Sequence, residues 1–162
     1  MVPDEAGLSG DEIAALKEAF GGLDCVVTDL EGESFEISHE QYRVATHVYA
    51  TLYFLQFSTF IIARPKGFPF RTRSRLHAFL NRANTNSKLT RFYVEEDRPN
   101  AQFGGWMIMA SARFVKGVIA GDWEREALDN CLKLWLQDIA EFMLLPGLFG
   151  LVPLNREKPE LK

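Results

Sequence analysis

The sequence has few of the residues from which compact metal or disulfide sites are built. Its 162 residues include two cysteines, Cys25 and Cys131, and three histidines. The cysteines show no CxxC pair and no metal-ligand spacing, and we therefore predict two buried thiols rather than a disulfide or a site. The composition, 47% hydrophobic and 25% charged, is that of a globular chain and excludes a disordered or collagen-like one.

Local motifs of several enzyme classes are also missing. There is no GxSxG, no P-loop, and no GxGxxG that opens a helix. His39-Glu40 is not followed by the second histidine of a zinc helix, and the acids of residues 24–33 lack the glycine and terminal glutamate of a calcium loop. We therefore predict that the protein is not an enzyme and has no cofactor, catalytic residue or metal site.

Neither a leader nor a membrane span is indicated. The first ten residues are acidic, with no basic or apolar signal region, which favours a cytoplasmic location. Residues 44–63 contain no Asp, Glu, Lys or Arg, and their length fits a membrane helix. Polar residues such as His47 and Gln56 interrupt them, and their many aromatic and β-branched side chains favour a strand instead.

Charge is segregated along the chain. Residues 1–42 carry eleven acids and one base, whereas residues 64–94 carry eight bases and no acid. The two regions could meet, within one subunit or across a dimer. Alternatively, the basic stretch could be a docking face for an acidic partner. The net charge of −4 argues against general nucleic-acid binding.

The pattern of apolar residues predicts three helices. The first, over residues 10–20, has a capping box between Ser9 and Glu12, and Gly21-Gly22 should end it in the left-handed conformation. The second covers residues 72–83. The third opens at Asp122 and ends before Pro146; its long apolar stripe comprises Leu128, Cys131, Leu132, Trp135, Ile139, Phe142 and Met143.

Five stretches predict strands: residues 25–30, 34–38, 49–63, 88–96 and 103–116, with residues 42–48 either extending the second or forming their own. The order α-β-β-β-α-β-β-α predicts an α+β fold with an antiparallel sheet of about five strands. We expect one domain over residues 1–145 and an apolar C-terminal tail over residues 146–162, lying across its own surface or a partner's.

The predicted strand 49–63 is apolar on both faces. It is either a central strand covered on both sides, or one of its faces pairs with another subunit or a client chain. In the second case Tyr49, Tyr53 and Phe57 are candidate partner-binding residues. The basic residues in and before the second helix, Arg71, Arg73, Arg75 and Arg82, are further candidates for binding an acidic segment.

Residues at the end of the second helix and in the hairpin after it resemble a known family. Leu80, Asn81 and Asn84 match an "LN..N" helix end, and Phe92, Val94, Glu95 and Asp97 match the following strand more loosely. This pattern resembles the YbjN-domain family of bacterial proteins, described as sensory transduction regulators. On their own, Asn81 and Asn84 could also be left-handed caps at a helix end.

The resemblance implies several properties. Members share the α-β-β-β-α-β-β-α fold of type III secretion chaperones, are regarded as non-enzymatic, and many dimerise. We therefore expect a homodimeric protein-binding or regulatory module, chaperone-like or adaptor-like, without nucleic-acid or membrane partners. The alternative is a small-ligand or anion sensor, or an unrecognised enzyme, with a pocket beside helix 72–83 near Arg75 and His77.

Overall fold

The described residues of the chain form an α+β fold of three helices and an antiparallel sheet of seven strands. A computed structural model describes residues 7–30, 34–42, 44–66, 72–115, 125–145 and 149–153. The elements are α1 (Gly10–Gly21), β1 (Cys25–Asp29), β2 (Phe35–His39), β3 (Ala45–Ala50), β4 (Phe54–Pro65), α2 (Thr72–Asn86), β5 (Arg91–Val94), β6 (Trp106–Val115), α3 (Arg125–Met143) and β7 (Phe149–Pro153).

The sheet is built around β4, its longest strand. Its order is β1-β2-β3-β4-β6-β5, with β7 also paired to β4. β6 pairs with residues 54–63 of β4. On the opposite edge, β3 pairs with residues 55–58 and β7 with residues 61–65, so β3 and β7 lie end to end. The apolar tail thus contributes a strand to its own sheet.

The prediction of one strand over residues 49–63 was wrong. The chain reverses at residues 51–53, and β3 and β4 form a hairpin. The Thr51 hydroxyl accepts hydrogen bonds from the backbone N–H groups of Tyr53, at 3.1 Å, and Phe54, at 3.2 Å. A threonine side chain can hold a turn in this way without glycine or proline. This hairpin and β7 account for the two strands beyond the five expected.

The capping of α1 is as predicted at one end and different at the other. Ser9 and Glu12 form the reciprocal capping box. Gly22, however, ends the helix with a φ of −76°, in the right-handed region. The left-handed residue is Asp24, with a φ of 62°, which directs the chain into β1. Aspartate tolerates this conformation better than most side chains.

The predicted apolar stripe of α3 is confirmed. Leu128, Cys131, Leu132, Trp135, Ile139 and Phe142 are all buried, whereas Met143 is partly buried. Trp135 Nε1 donates a 3.0 Å hydrogen bond to the hydroxyl of Thr46, on β3. The predicted cap at Asp122 lies outside the described residues.

Phe57 belongs to the centre of the core. Its side chain has 0% exposure, and its ring contacts Phe20 on α1 and Trp135 on α3, each at a centroid distance of 5.9 Å. It also contacts Phe114 on β6 at 5.6 Å. The expectation that Phe57 lies on a partner-binding face is therefore wrong, because both helices pack on the side of β4 from which it projects.

We expect Phe57→Ala to lower the free energy of unfolding by about 3–5 kcal/mol, because it leaves a cavity between two helices and the sheet. Urea denaturation followed by circular dichroism measures this. Tyr53→Ala is the control: Tyr53 is 47% exposed, so its loss should change stability by less than about 0.5 kcal/mol. Equal effects of the two substitutions would contradict the placement of Phe57.

Candidate functional site

All three helices pack on the same face of the sheet. Besides the contacts of Phe57 with α1 and α3, Phe142 on α3 stacks on Phe92 of β5 at 4.1 Å. Phe79 on α2 contacts Phe149 of β7 at 5.9 Å. These strand residues project from one side, since side chains alternate along each strand and paired residues share a side. In the described part of the chain, no helix covers the opposite side.

We call this opposite side of the sheet the open face. Its residues follow from the strand registers. They are Val26, Thr28, Glu36, Ser38, Ala45, His47, Tyr49, Phe54, Gln56, Ser58, Phe60, Ile62, Arg64, Arg91, Tyr93, Met107, Met109, Ser111, Arg113, Val115, Gly150 and Val152. Three of its apolar side chains are about half exposed: Val26 at 57%, Val115 at 51% and Tyr93 at 44%.

A row of polar side chains crosses the middle of the open face. Glu36 on β2 pairs with His47 on β3, and His47 pairs with Ser58 on β4. Ser58 pairs with Ser111 on β6, which in turn pairs with Arg91 on β5. The row therefore runs from an acid to a base over five adjacent strands. We call these five residues the polar row.

Apolar side chains lie beside the polar row. One register step along β4, Phe60 pairs with Met109, and Met109 pairs with Tyr93 on β5. Farther along, Ile62 pairs with Met107. On the other side of the row, Arg113 donates hydrogen bonds to the Gln56 side chain at 2.8 and 3.2 Å. The open face thus combines a hydrophobic area with fixed polar groups, as binding surfaces do.

A cavity of about 240 Å³ opens on this face. It lies where β3 stops pairing with β4 and β7 has not yet begun, so residues 59–60 have a strand partner on the β6 side only. The Thr59 hydroxyl bridges part of this break with a 2.7 Å hydrogen bond to the carbonyl oxygen of Ala45. The cavity is lined by Glu36, Ala45, His47, Ser58, Thr59, Phe60 and Met109.

Glu36, His47 and Ser58 stand in the order of a catalytic triad, but the backbone around them does not suit acyl transfer. A nucleophilic serine needs free N–H groups beside it to hold an oxyanion, and usually a sharp turn that exposes its hydroxyl. Ser58 lies inside an extended strand, paired with His47 on one side and Ser111 on the other. We therefore read the arrangement as one for binding through hydrogen bonds.

The aromatic residues predicted to bind a partner do not lie together. Tyr49 is half-buried on the open face, opposite Gln56. Tyr53 is exposed in the β3–β4 turn, and Phe57 is buried on the helix side. Of the three, only Tyr49 lies on the open face. The error follows from the unpredicted hairpin, which changes the side to which the residues after Thr51 point.

The predicted basic residues are partly neutralised by nearby groups. Arg73 forms an ion pair with Asp97, in the β5–β6 loop, and His77 lies 3.9 Å from the same carboxylate. The Arg82 guanidinium lies over the Phe79 ring at 5.6 Å, and Arg75 is exposed. Arg71 lies outside the described residues. Among the residues that are described, no ion pair joins the acidic N-terminal region to the basic stretch.

The residues that resemble the family motif have structural contacts. Leu80 is buried, and the carbonyl oxygen of Asn81 accepts a 2.8 Å hydrogen bond from Thr85. Asn84 lies inside α2, so neither asparagine is a left-handed cap. The Asn84 side chain instead binds the Phe92 backbone twice, accepting from its N–H at 2.7 Å and donating to its carbonyl at 2.9 Å.

Asp138 binds the backbone of the segment directly before β5. Its buried carboxylate, on α3, accepts hydrogen bonds from the backbone N–H groups of Lys88, Leu89 and Thr90 at 3.0 to 3.1 Å. Sequence analysis missed this residue. The available signal was an acid three positions after Trp135, within the apolar stripe of α3. Asp138 holds the segment that leads into β5, while Asn84 occupies the Phe92 groups at which another strand would otherwise pair.

Neither a metal site nor a transmembrane helix emerges from the residues that can be described. No three His, Cys, Asp or Glu side chains in these ranges are grouped so as to hold a metal ion. The helices within them are too short or too polar to cross a bilayer. Comparisons with protein-family models, with curated proteins and with solved structures give no match.

We expect Asn84→Ala to lower the free energy of unfolding by about 1–3 kcal/mol, because it leaves both backbone groups of Phe92 without their partner. Chemical denaturation measures the loss, and hydrogen exchange should show faster exchange of the Phe92 amide. Asn81→Ala, on the same helix, is the matched control and should preserve both. A normal Phe92 amide in Asn84→Ala would contradict the assigned contact.

Proposed function

We propose that this chain is a non-enzymatic protein-binding module whose binding site is the open face. The observation that carries the proposal is that all three described helices pack on one side of the sheet. Apolar side chains such as Tyr93 and Val115 are left about half exposed beside the ordered polar row. Burial of apolar area, at roughly 25 cal/mol per Å², supplies affinity, and fixed polar groups select the partner.

The wider classification belongs to the same proposal. We place the chain with the YbjN-domain family and its type III secretion chaperone-like fold, as a cytoplasmic regulatory or adaptor protein of bacteria. The α+β order with three helices and an antiparallel sheet supports this placement. Arg73 and Arg75 lie on α2, on the other side of the sheet, and Arg73 is already paired with Asp97, so the proposal assigns them no role in this site.

Methionine oxidation tests whether the open face is covered in solution. Met107 and Met109 lie half-buried on this face, whereas Met143 packs against the core from α3. We expect a bound protein to slow peroxide oxidation of Met107 and Met109 several-fold relative to a highly diluted sample, while Met143 stays unchanged. Mass spectrometry of the protein, purified and in extract of the producing cells, measures each rate.

The matched variant is Phe60→Asp, which places a charge beside Met109 on the open face. It should abolish the protection and preserve the circular dichroism spectrum. Equal oxidation rates in extract, in concentrated purified protein and after dilution would show that nothing covers this face. The proposed function would then be wrong.

A second candidate is a small-ligand sensor, favoured by the cavity on the open face rather than by a pocket beside helix 72–83. Its lining offers a carboxylate, an imidazole and hydroxyls next to Phe60 and Met109. This suits a small molecule that has hydrogen-bond donors and an apolar part.

A ligand at a hundredfold excess over its Kd should add about 2.7 kcal/mol of stability. A screen of small metabolites by thermal melting measures this. The gain should be lost in Ala45→Met, which fills the cavity. If no compound raises the Tm, or if Ala45→Met responds like the native chain, the sensor function is contradicted.

A further inference from the structure

We infer that the partner of the open face is an acidic amphipathic helix of another protein. This inference rests on the proposed function, to which it adds the chemistry of the partner. The charges on the open face are opposite in sign to that of the chain as a whole. The chain has a net charge of −4, whereas the charges carried by this face are mainly those of arginines. A face of this kind selects an acidic partner.

Three arginines project onto the open face: Arg64 on β4, Arg91 on β5 and Arg113 on β6. None of the three forms an ion pair with another described residue. The one acid among the strand residues of this face is Glu36, which is buried. The acids of the β5–β6 loop lie past the end of β5, and Asp97 among them is paired with α2 on the helix side. The arginines are therefore available to carboxylates of a partner.

The arginines stand at the two ends of an apolar area. Arg113 pairs with Gln56, and Arg64 lies eight positions after Gln56 on β4, or about 27 Å along the strand at 3.4 Å per residue. Between these two rows lie the apolar side chains of Phe60, Ile62, Tyr93, Met107, Met109 and Val152. A partner with an apolar stripe and carboxylates at both ends of it can cover this area and pair with the arginines, so that no charge is buried alone.

A helix suits the open face better than an extended segment does. The backbone groups of a sheet point along the sheet toward neighbouring strands, so a chain lying on its face cannot pair with them. An extended segment would therefore leave its own N–H and C=O groups unpaired against apolar side chains, whereas a helix pairs these groups internally. At 1.5 Å per residue, a helix of about 18 residues spans the ~27 Å between the arginine rows. The other face of the same sheet already holds three helices.

The cavity of about 240 Å³ offers such a helix an anchoring point. It opens beside Phe60, within the apolar area, and His47 and Ser58 add polar groups to its lining. A side chain that projects from the helix can enter it, as anchor residues of protein partners do. An anionic membrane surface would satisfy the arginines but has no side chain to place in the cavity. The combination of arginines and cavity thus favours a protein segment.

Selection from a random peptide library tests the chemistry of the partner without assuming its sequence. Displayed peptides of about 20 residues, the length of such a helix, are selected on the native chain. The binders are then sorted by whether they protect Met107 and Met109 from peroxide oxidation, with Met143 on α3 as the internal control. Among the protecting peptides we expect at least a roughly threefold excess of Asp and Glu over Lys and Arg, and apolar residues at helical spacing.

Arg91→Glu tests the charge pairing with the selected peptides. We expect fluorescence anisotropy to show at least roughly tenfold weaker binding of the acidic peptides, and binding to the native chain should weaken as salt is added. Arg75→Glu, at an exposed arginine on the helix side, is the matched control and should preserve the affinity. Circular dichroism of the complexes should show a gain of helix by the peptide.

Several outcomes would overturn the inference. If the peptides that protect Met109 are neutral or basic, or gain no helix, the proposed function stands with a partner of other chemistry. Equal affinity of Arg91→Glu and the native chain for the acidic peptides would likewise exclude the assigned charge pairing. If no peptide protects Met109 but phosphatidylglycerol vesicles do, the face binds a membrane instead. If Met109 is protected neither by peptides nor by vesicles nor in cell extract, both proposals fail.

Discussion

The packing of Phe57 between Phe20 and Trp135 is the contact on which the rest of the structure depends. It ties the first and last helices to the middle strand of the sheet, although the two helices are more than a hundred residues apart in sequence. The hydrogen bond from Trp135 to Thr46 fixes the ring in the same layer and satisfies a buried indole N–H. This cluster brings the apolar stripes of α1 and α3 to one side of β4, and no helix of the described residues lies on the other side. The open face is thus a direct consequence of how the core is closed.

The two outer edges of the sheet differ in whether side chains occupy their backbone groups, and this limits how the protein can associate. At β5, the Asn84 side chain occupies both backbone groups of Phe92, and Asp138 binds the backbone N–H groups of residues 88–90, directly before the strand. Among the described residues, β1 pairs only with β2. An edge closed by side chains discourages unspecific strand pairing, which is a common route to aggregation. On the open face, the sheet orders apolar and polar groups side by side.

Features that depend on local sequence could be predicted, and features that depend on strand order could not. The capping box of Ser9 and Glu12 and the stripe of α3 from Leu128 to Phe142 follow from spacings within one helix. The β3–β4 turn escaped prediction because Thr51 carries no glycine or proline signal and the apolar alternation continues through it. Because this turn was not predicted, Phe57 was assigned to the same face of the sheet as Tyr49, whereas it lies on the helix side. The polar row could not be found either, because Ser58 and Arg91 become neighbours of Ser111 only through the order β4-β6-β5.

The composition of the open face fits neither a surface that is only solvated nor a second hydrophobic core. A face that only meets water has no need for Phe60, Met107 and Met109 in the central strands, where they raise the risk of aggregation. A face that only serves packing would not carry five polar side chains through its centre, since each must keep a hydrogen-bond partner when water is removed. Polar groups inside an apolar interface instead fix the register of the partner, because a shifted partner leaves them unpaired. In the proposed function, the polar row, with acid at one end and base at the other, would specify an orientation of the partner that hydrophobic burial alone would leave undetermined.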